Sequence, residues 1–375
     1  MLTSRIGNKQ TVPVNLALLR PEEVRAVHRA AQLAANGAGT VLPNPVVGCV
    51  LLSPGGWTVG EGFHERAGGP HAEVVALAAA GQWAKGATAV VTLEPCNHTG
   101  RTPPCSTALT AAGVSRVVVA VRDPWLPAAG GMDHLRAAGV VVLDLTDRTD
   151  TEAQAAVAAA EDVNRVWLTA TRMQRPFVSW KVGMTIDGRV AAADGTSQWI
   201  TSAESRADVH VLRAQVDTMM VGIGTVLADD PQLTVRDESG RPAGTQPLRV
   251  VIDSNRRTPP DARVLDRAAE TWVATTQELG SAQDGRVDLP AVLDRLYQLG
   301  RRHVLLEGGP RLAAAFLDAG LIDEALIYLA PTLLGAGRHA LEGGLVATLA
   351  DAHHAALREV TPFGPDIRLR YSISR

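Results

Sequence analysis

The apolar positions of this chain alternate between strand-length runs and helix-length periodic segments. Pro21-Glu22-Glu23 opens a helical pattern that runs to about Ala35 and stops at Asn36-Gly37, with proline and acid at its start. Val46–Leu52 is a continuous apolar run of strand length. A helix over Glu73–Ala80, closed by Gly81, follows it. Next come a strand over Ala89–Leu93, a helix over Thr107–Ala112 ending at Gly113, and strands over Val117–Val121 and Val140–Leu145. Strands alternating with helices of this size predict an α/β domain with helices packed on a sheet.

Residues 151–166 are Ala-rich and helical, and the pattern resets at Arg175-Pro176. The spacing beyond predicts strands at Phe177–Val182, Thr218–Gly222, Leu248–Asp253, Thr271–Thr275, His303–Glu307 and Glu324–Leu329. Helices are predicted at Ala203–Ala214, Leu289–Leu299 and Arg311–Ala319. This half is α/β as well, and the two halves share no repeat. The division expected is an extension over residues 1–20, one domain over 21–172 and another over 173–375; 375 residues is more than one ordinary domain needs.

Composition narrows the chemistry. A net charge of −3 gives no electrostatic footprint for nucleic acid, and 4% aromatics provide few stacking platforms. No apolar run reaches membrane-spanning length, and the first twenty residues lack a secretory pattern, so a cytoplasmic protein with small-molecule partners is expected. Three cysteines do not make a disulfide framework. Cys49 sits inside the first apolar run and reads as a buried small hydrophobe.

The other two cysteines lie in Glu94-Pro95-Cys96 and Pro103-Pro104-Cys105, downstream of Pro70-His71-Ala72-Glu73. One imidazole and two thiolates from His71, Cys96 and Cys105 would leave a zinc ion's fourth position open for water. Zinc makes that water acidic near neutral pH, and the uncommitted carboxylate of Glu73 can then move protons. H-x-E followed by P-C-x-x-C is the mark of nucleobase deaminases. Here the second cysteine lies nine positions beyond the first rather than three. The loop between them carries His98, a candidate substrate contact, and Arg101, whose guanidinium suits a phosphate.

In the second half, Leu306-Glu307-Gly308-Gly309-Pro310 joins a strand to a helix and forms a natural anion seat, because glycine lets backbone donors approach and the helix N-terminus faces the anion. G-x-G-x-x-G does not occur, which disfavours a Rossmann fold.

P-H-A-E followed by T-L-E-P-C-x-H-x-G-x-T-P-P-C closely resembles the deaminase half of the bifunctional riboflavin-biosynthesis deaminase/reductase family. Pro43-Asn44-Pro45-Val46-Val47-Gly48 is similar to that family's P-N-P-x-V-G segment. The resemblance implies a cytidine-deaminase-like first domain with zinc on His71, Cys96 and Cys105, Glu73 as the proton shuttle and Asn44 at the base. One stretch departs: where the family reads D-P-N-P, this chain reads Asp123-Pro124-Trp125-Leu126.

Lys181–Arg189, Thr196–Ser202, Gly222–Pro231 and Leu306–Pro310 together resemble the reductase half of the same family. That implies a dihydrofolate-reductase-like second domain using NADPH. By the same resemblance Gly183, Trp199, Thr225, Asp229, Ser254, Gly309, Pro310 and Arg311 would contact the dinucleotide, with Arg256 or Arg257 near its 2′-phosphate. Ser197, Arg213, Leu233, Arg236 and Glu307 would face the substrate, and Lys181 would protonate or polarise the opened sugar.

The activity implied is deamination of 2,5-diamino-6-ribosylamino-4(3H)-pyrimidinone 5′-phosphate, then reduction of its ribosyl side chain to ribityl. A homodimer or homotetramer is implied too. The competing readings are a deaminase of another nucleobase or nucleoside, and a non-catalytic nucleotide sensor with a decayed deaminase.

Overall fold

The computed structural model describes residues 18–99, 103–237, 239–344 and 346–374. It divides into two compact units. The first holds the described residues up to Gly37 together with Val46–Val163; the second holds Ala38–Pro45 and Asn164 onward.

The first unit contains helices α1 (Pro21–Ala35), α2 (Ala72–Ala80), α3 (Cys105–Ala111), α4 (Gly131–Ala137) and α5 (Thr151–Val163). Its strands are β1 (Gly48–Leu52), β2 (Thr58–Phe63), β3 (Thr88–Leu93), β4 (Arg116–Val121) and β5 (Val141–Asp144), in the order β2-β1-β3-β4-β5. The β2/β1 and β1/β3 pairs are antiparallel, and β3/β4 and β4/β5 are parallel. Alternate residues serve opposite faces of a strand. Cys49, Leu51, Val91, Val117 and Val119 pack with Ala72 and Ala76 of α2, Leu109 of α3 and Leu135 of α4. Val50, Val90 and Val118, of the other parity, are equally buried, so both faces of the sheet are covered.

Strand β2 and helix α4 were not expected from the sequence. Gly60 and Gly62 lower strand propensity, yet α2 can pack on β2 only because they lack side chains. A Cβ on Gly60 would lie 2.3 Å from the Ala76 carbonyl oxygen, and one on Gly62 would lie 2.5 Å from that of Ala72.

Helix α6 (Arg165–Met173) groups with the second unit, whereas the sequence predicts it within the first domain. Ion pairs explain the difference. Arg165 Nε donates to Glu324 Oε1 at 2.9 Å, and just beyond the helix Arg175 makes a bidentate pair with Asp323 at 2.8 and 2.9 Å.

There follow β6 (Phe177–Thr185), β7 (Arg189–Ala191), α7 (Ala203–Ala214), β8 (Thr218–Gly222), α8 (Ile223–Asp229), β9 (Leu248–Ile252), β10 (Thr271–Ala274), α9 (Thr276–Leu279), α10 (Leu289–Gln298), β11 (His303–Leu306), α11 (Pro310–Asp318), β12 (Glu324–Ala330), β13 (Arg338–His339), β14 (Ala355–Phe363) and β15 (Asp366–Ile373). The main sheet runs β10-β9-β8-β11-β6-β12-β15-β14. It is parallel as far as β12 and antiparallel through the final hairpin. The sequence does not predict that hairpin, because β14 is largely exposed and lacks a strong apolar alternation.

Ligands of open parallel sheets bind beyond the carboxyl ends of the strands. Here Ile223–Thr225 follow β8, Ser254 follows β9, and Glu307–Arg311 follow β11, so residues far apart in sequence meet at one edge.

Candidate functional site

In the first unit, the potential ligand atoms of His71, Cys96 and Cys105 all lie within 4.8 Å of one another. His71 Nδ1 is 3.5 Å from Cys96 Sγ and 3.2 Å from Cys105 Sγ. His71 is the extended N-cap residue of α2, one position earlier than a first-turn placement, and Glu73 lies inside the first turn. The change from extended to helical backbone is what lets side chains two apart serve one centre. Cys105 is the first residue of α3, and its backbone N–H donates to Cys96 Sγ at 3.4 Å.

The electrostatics favour a metal-binding thiolate. The hydrogen bond from Cys105 pulls the Cys96 thiol down to about 4, against the opposing effect of burial and with help from His71. The bond with Cys96 and burial push the Cys105 thiol up. Glu73 is buried, and desolvation lifts its carboxyl above the usual carboxylate range.

Several neighbours had no role assigned from the sequence. Glu94 is buried, and its Oε1 accepts from the backbone N–H groups of Gly130 (3.0 Å) and Met132 (3.1 Å), tying the 123–132 loop to the cysteine segment. A Cβ on Gly131 would meet the Pro95 carbonyl oxygen at 1.7 Å, so only glycine fits between those contacts. His64 Nδ1 lies 2.9 Å from the Pro70 carbonyl oxygen, and its ring meets His71 edge-on at 5.3 Å. Their signal in sequence was adjacency alone: Glu94 two places before Cys96, His64 seven before His71.

His98 packs edge-on against Trp125 at 5.6 Å, so the residue that departs from the family pattern flanks the thiol loop. Arg101 lies outside the described residues. Asn44 is exposed, in the 38–45 segment that groups with the second unit.

The second unit holds a cavity of about 1510 Å³. Lys181, Gly183, Ser197, Trp199 and Arg213 line it, as do Thr225, Asp229, Leu233, Arg236 and Ser254, together with Glu307, Gly309, Pro310 and Arg311. Arg257, but not Arg256, is among the lining residues.

Glu307 is the electrostatic centre. Arg213 grips it in a bidentate pair at 2.8 and 2.9 Å, and Lys181 Nζ reaches the same carboxylate at 3.5 Å. Burial alone would raise the Glu307 carboxyl, but Arg213 and Lys181 outweigh it and hold the group at about 2. The pairing of β11 with β6 sets this up, with Leu306 opposite Trp180, so the next residue of each strand is adjacent too. At the mouth, the Arg206 guanidinium sits 4.5 Å above the Trp199 ring. Arg206, His210 and Tyr328 also line the cavity and were not expected there.

Residues 21–121 match the family model described as the cytidine and deoxycytidylate deaminase zinc-binding region, and residues 176–369 match the RibD C-terminal domain. Riboflavin biosynthesis protein RibD of Escherichia coli K12 is 44% identical over 366 residues, covering 91% of this chain and 96% of its own. RibD of Mycobacterium tuberculosis is 46% identical over 352 residues, covering 93% and 98%. The solved structure of Acinetobacter baumannii RibD is 39% identical with a TM-score of 0.81, covering 94% of this chain and 99% of its own. A diaminohydroxyphosphoribosylaminopyrimidine deaminase/5-amino-6-(5-phosphoribosylamino)uracil reductase from Thermotoga maritima is 30% identical with a TM-score of 0.80, with the same coverage.

Proposed function

This chain belongs to the RibD family of riboflavin-biosynthesis proteins, and from that premise we propose which residues carry each of its two activities. It is a bifunctional enzyme: a zinc-dependent deaminase with a cytidine-deaminase-like fold, and an NADPH-dependent reductase with a dihydrofolate-reductase-like fold. The substrate of the first step is a 2,5-diamino-6-ribosylaminopyrimidinone 5′-phosphate, and the second step converts the ribosyl to the ribityl side chain.

The observation that carries the deaminase assignment is the donor set with Glu73 buried beside it. One imidazole and two sulfurs, one already driven to thiolate, match the preference of zinc for three nitrogen and sulfur ligands at an open catalytic site. When bound, zinc supplies the Lewis acidity that makes water a nucleophile near neutral pH. Glu73 would take the first proton of that water to the ring nitrogen and then carry the second, from the newly added hydroxyl, to the departing ammonia, a role suited to a carboxyl raised by burial. His98 and Trp125 flank the pyrimidine, and Arg101 is assigned to the phosphate.

The cavity of the second unit has room for a dinucleotide together with a substrate; drug-sized ligands need roughly 300–1,000 Å³. NADPH supplies the hydride. Gly183, Trp199, Thr225, Asp229, Ser254, Gly309, Pro310 and Arg311 are assigned to hold it, and Arg257, which lines the same cavity, is assigned to its 2′-phosphate. Ser197, Leu233, Arg213 and Arg236 hold the substrate, the two arginines at its phosphate. Lys181, steadied by Glu307, gives the proton that accompanies reduction of the opened sugar carbon.

No helix among the described residues is long and apolar enough to cross a membrane. A cytoplasmic homo-oligomer is the setting we assign, since its metal thiols need a reducing compartment.

The test is a coupled assay on the diaminopyrimidine phosphate. Ammonia release should precede NADPH oxidation, and with the deaminated intermediate supplied directly, reduction should need only its own site. Ammonia release undiminished after zinc removal would overturn the deaminase assignment.

A further inference from the structure

We propose that His210 is a third arm of the anion seat in the reductase cavity, and that it takes up a proton when a phosphate settles against Arg213 and Arg236. The inference rests on the phosphate placement above and adds a residue and a coupling to it.

The geometry begins with α7. Residues three apart on a helix share a face, so His210 and Arg213 point the same way, and both line the cavity. The imidazole is half-buried, and its Nδ1 is buried with no hydrogen-bond partner among the described residues. A buried ring nitrogen without a partner has lost its water and gained nothing in exchange.

Four charged groups act on it: Arg213 from its own helix, Arg236 from the loop after α8, Lys181 from β6 and Glu307 from the end of β11. Three are cations and one is an anion. The anion is fully engaged, since Arg213 and Lys181 both bind Glu307. Among the described residues, Arg236 donates to neutral oxygens, Thr234 Oγ1 and Gln232 Oε1, each at 3.2 Å. The ligand-free corner is therefore net positive. Burial, then Arg213 and Arg236, keep the proton off His210.

A dianion reverses this balance. It cancels the repulsion from Arg213 and Arg236 and offers an acceptor to a protonated imidazole. The corner would then hold one fewer proton when empty than when filled. Such coupling favours a doubly charged phosphomonoester over singly charged anions and eases release when the phosphate departs.

Sulfate is the probe, because it stays dianionic from pH 5.5 to 8. Full-length protein saturated with NADP⁺, so that the dinucleotide's own phosphates are in place, is titrated with sulfate by calorimetry in two buffers of different ionisation enthalpy. We expect close to one proton taken up per sulfate near neutral pH. Affinity should strengthen by up to about tenfold for each unit the pH falls, as a single linked proton requires. In His210→Gln both the uptake and the pH dependence should vanish while sulfate still binds; His210→Asn is the second variant should the first not fold. Sulfate binding without proton uptake in the unaltered protein overturns the role of His210 and leaves the arginine seat standing. A pH dependence unchanged in the variants overturns it too. Failure of sulfate to bind the unaltered protein overturns the arginine seat itself, and His210 with it.

Discussion

His71, Cys96 and Cys105 span 34 positions of the chain, whereas Lys181 and Glu307, which share one charged array, are 126 apart. The first site is compact and depends on a few donors that nothing nearby can replace. The second is broad and balances charge across several strand ends, so its parts differ in weight. The contrast predicts all-or-none losses in the first unit and graded ones in the second.

The largest effect should come from Cys96→Ser. With one of three donors weakened, bound zinc by elemental analysis and ammonia release should both fall to background, while NADPH-dependent reduction of the deaminated intermediate continues. Glu73→Gln separates metal from proton transfer. Zinc should remain, and deamination should drop by roughly 10²–10⁴-fold, the usual contribution of a positioned general acid–base. If reduction fell alongside deamination in either variant, the independence of the two sites would be wrong.

Glu307→Gln is the corresponding break in the second unit. It leaves Arg213 and Lys181 facing each other without their shared carboxylate, and breaking a buried pair in this way costs about 3–5 kcal/mol. Reduction should fall without vanishing and the unit's denaturation midpoint should drop, with ammonia release untouched. Glu307 sits at about 2, below its ordinary 4.5, so its contribution is present above pH 4.5 and lost as pH falls through about 2. Acid loss of reductase activity at pH 5 would therefore have to come from another group.

The metal site was legible in the sequence because its residues sit in short, adjacent motifs at element boundaries: His71 at a helix N-cap, Cys105 at a helix start, Cys96 just after a strand. What supports it was less so. Strand β2 went unread because Gly60 and Gly62 interrupt its pattern, though they are what allow the helix after His71 to sit close. Gly62→Ala tests that point. The added methyl would press on the Ala72 carbonyl, between His71 and Glu73, and should cost about 1–3 kcal/mol of stability and weaken zinc retention. In the second unit the cavity residues were reached through resemblance to a family, since strand pairing rather than spacing brings them together. His210 had no such signal: a histidine on a half-polar helix looks like any surface residue until β6 and β11 place Lys181 and Glu307 near it. Helix α6 groups with the second unit although an Ala-rich run leads into it from the first, and its pairing through Arg165 with Glu324 ties it there.

The smallest expected effect separates the two units by pH rather than by activity. His303, in β11, sits 2.9 Å from Ser179 Oγ, and burial holds its imidazole at about 4, below its ordinary 6.5. A depressed histidine adds stability that is present above pH 6.5 and lost as pH falls through 4, because the unfolded chain binds the extra proton first. Between those limits the second unit should lose about 1.4 kcal/mol per pH unit from this group alone. Hydrogen exchange of the β6 and β11 amides in the full chain, followed from pH 7 to pH 4.5, should show that slope. In His303→Gln it should flatten, while exchange of β3 and β4 in the first unit keeps its original pH profile. A slope unchanged by the substitution would mean that His303 is already protonated in the folded protein, and that the buried face of β11 carries a charge balanced by Glu324.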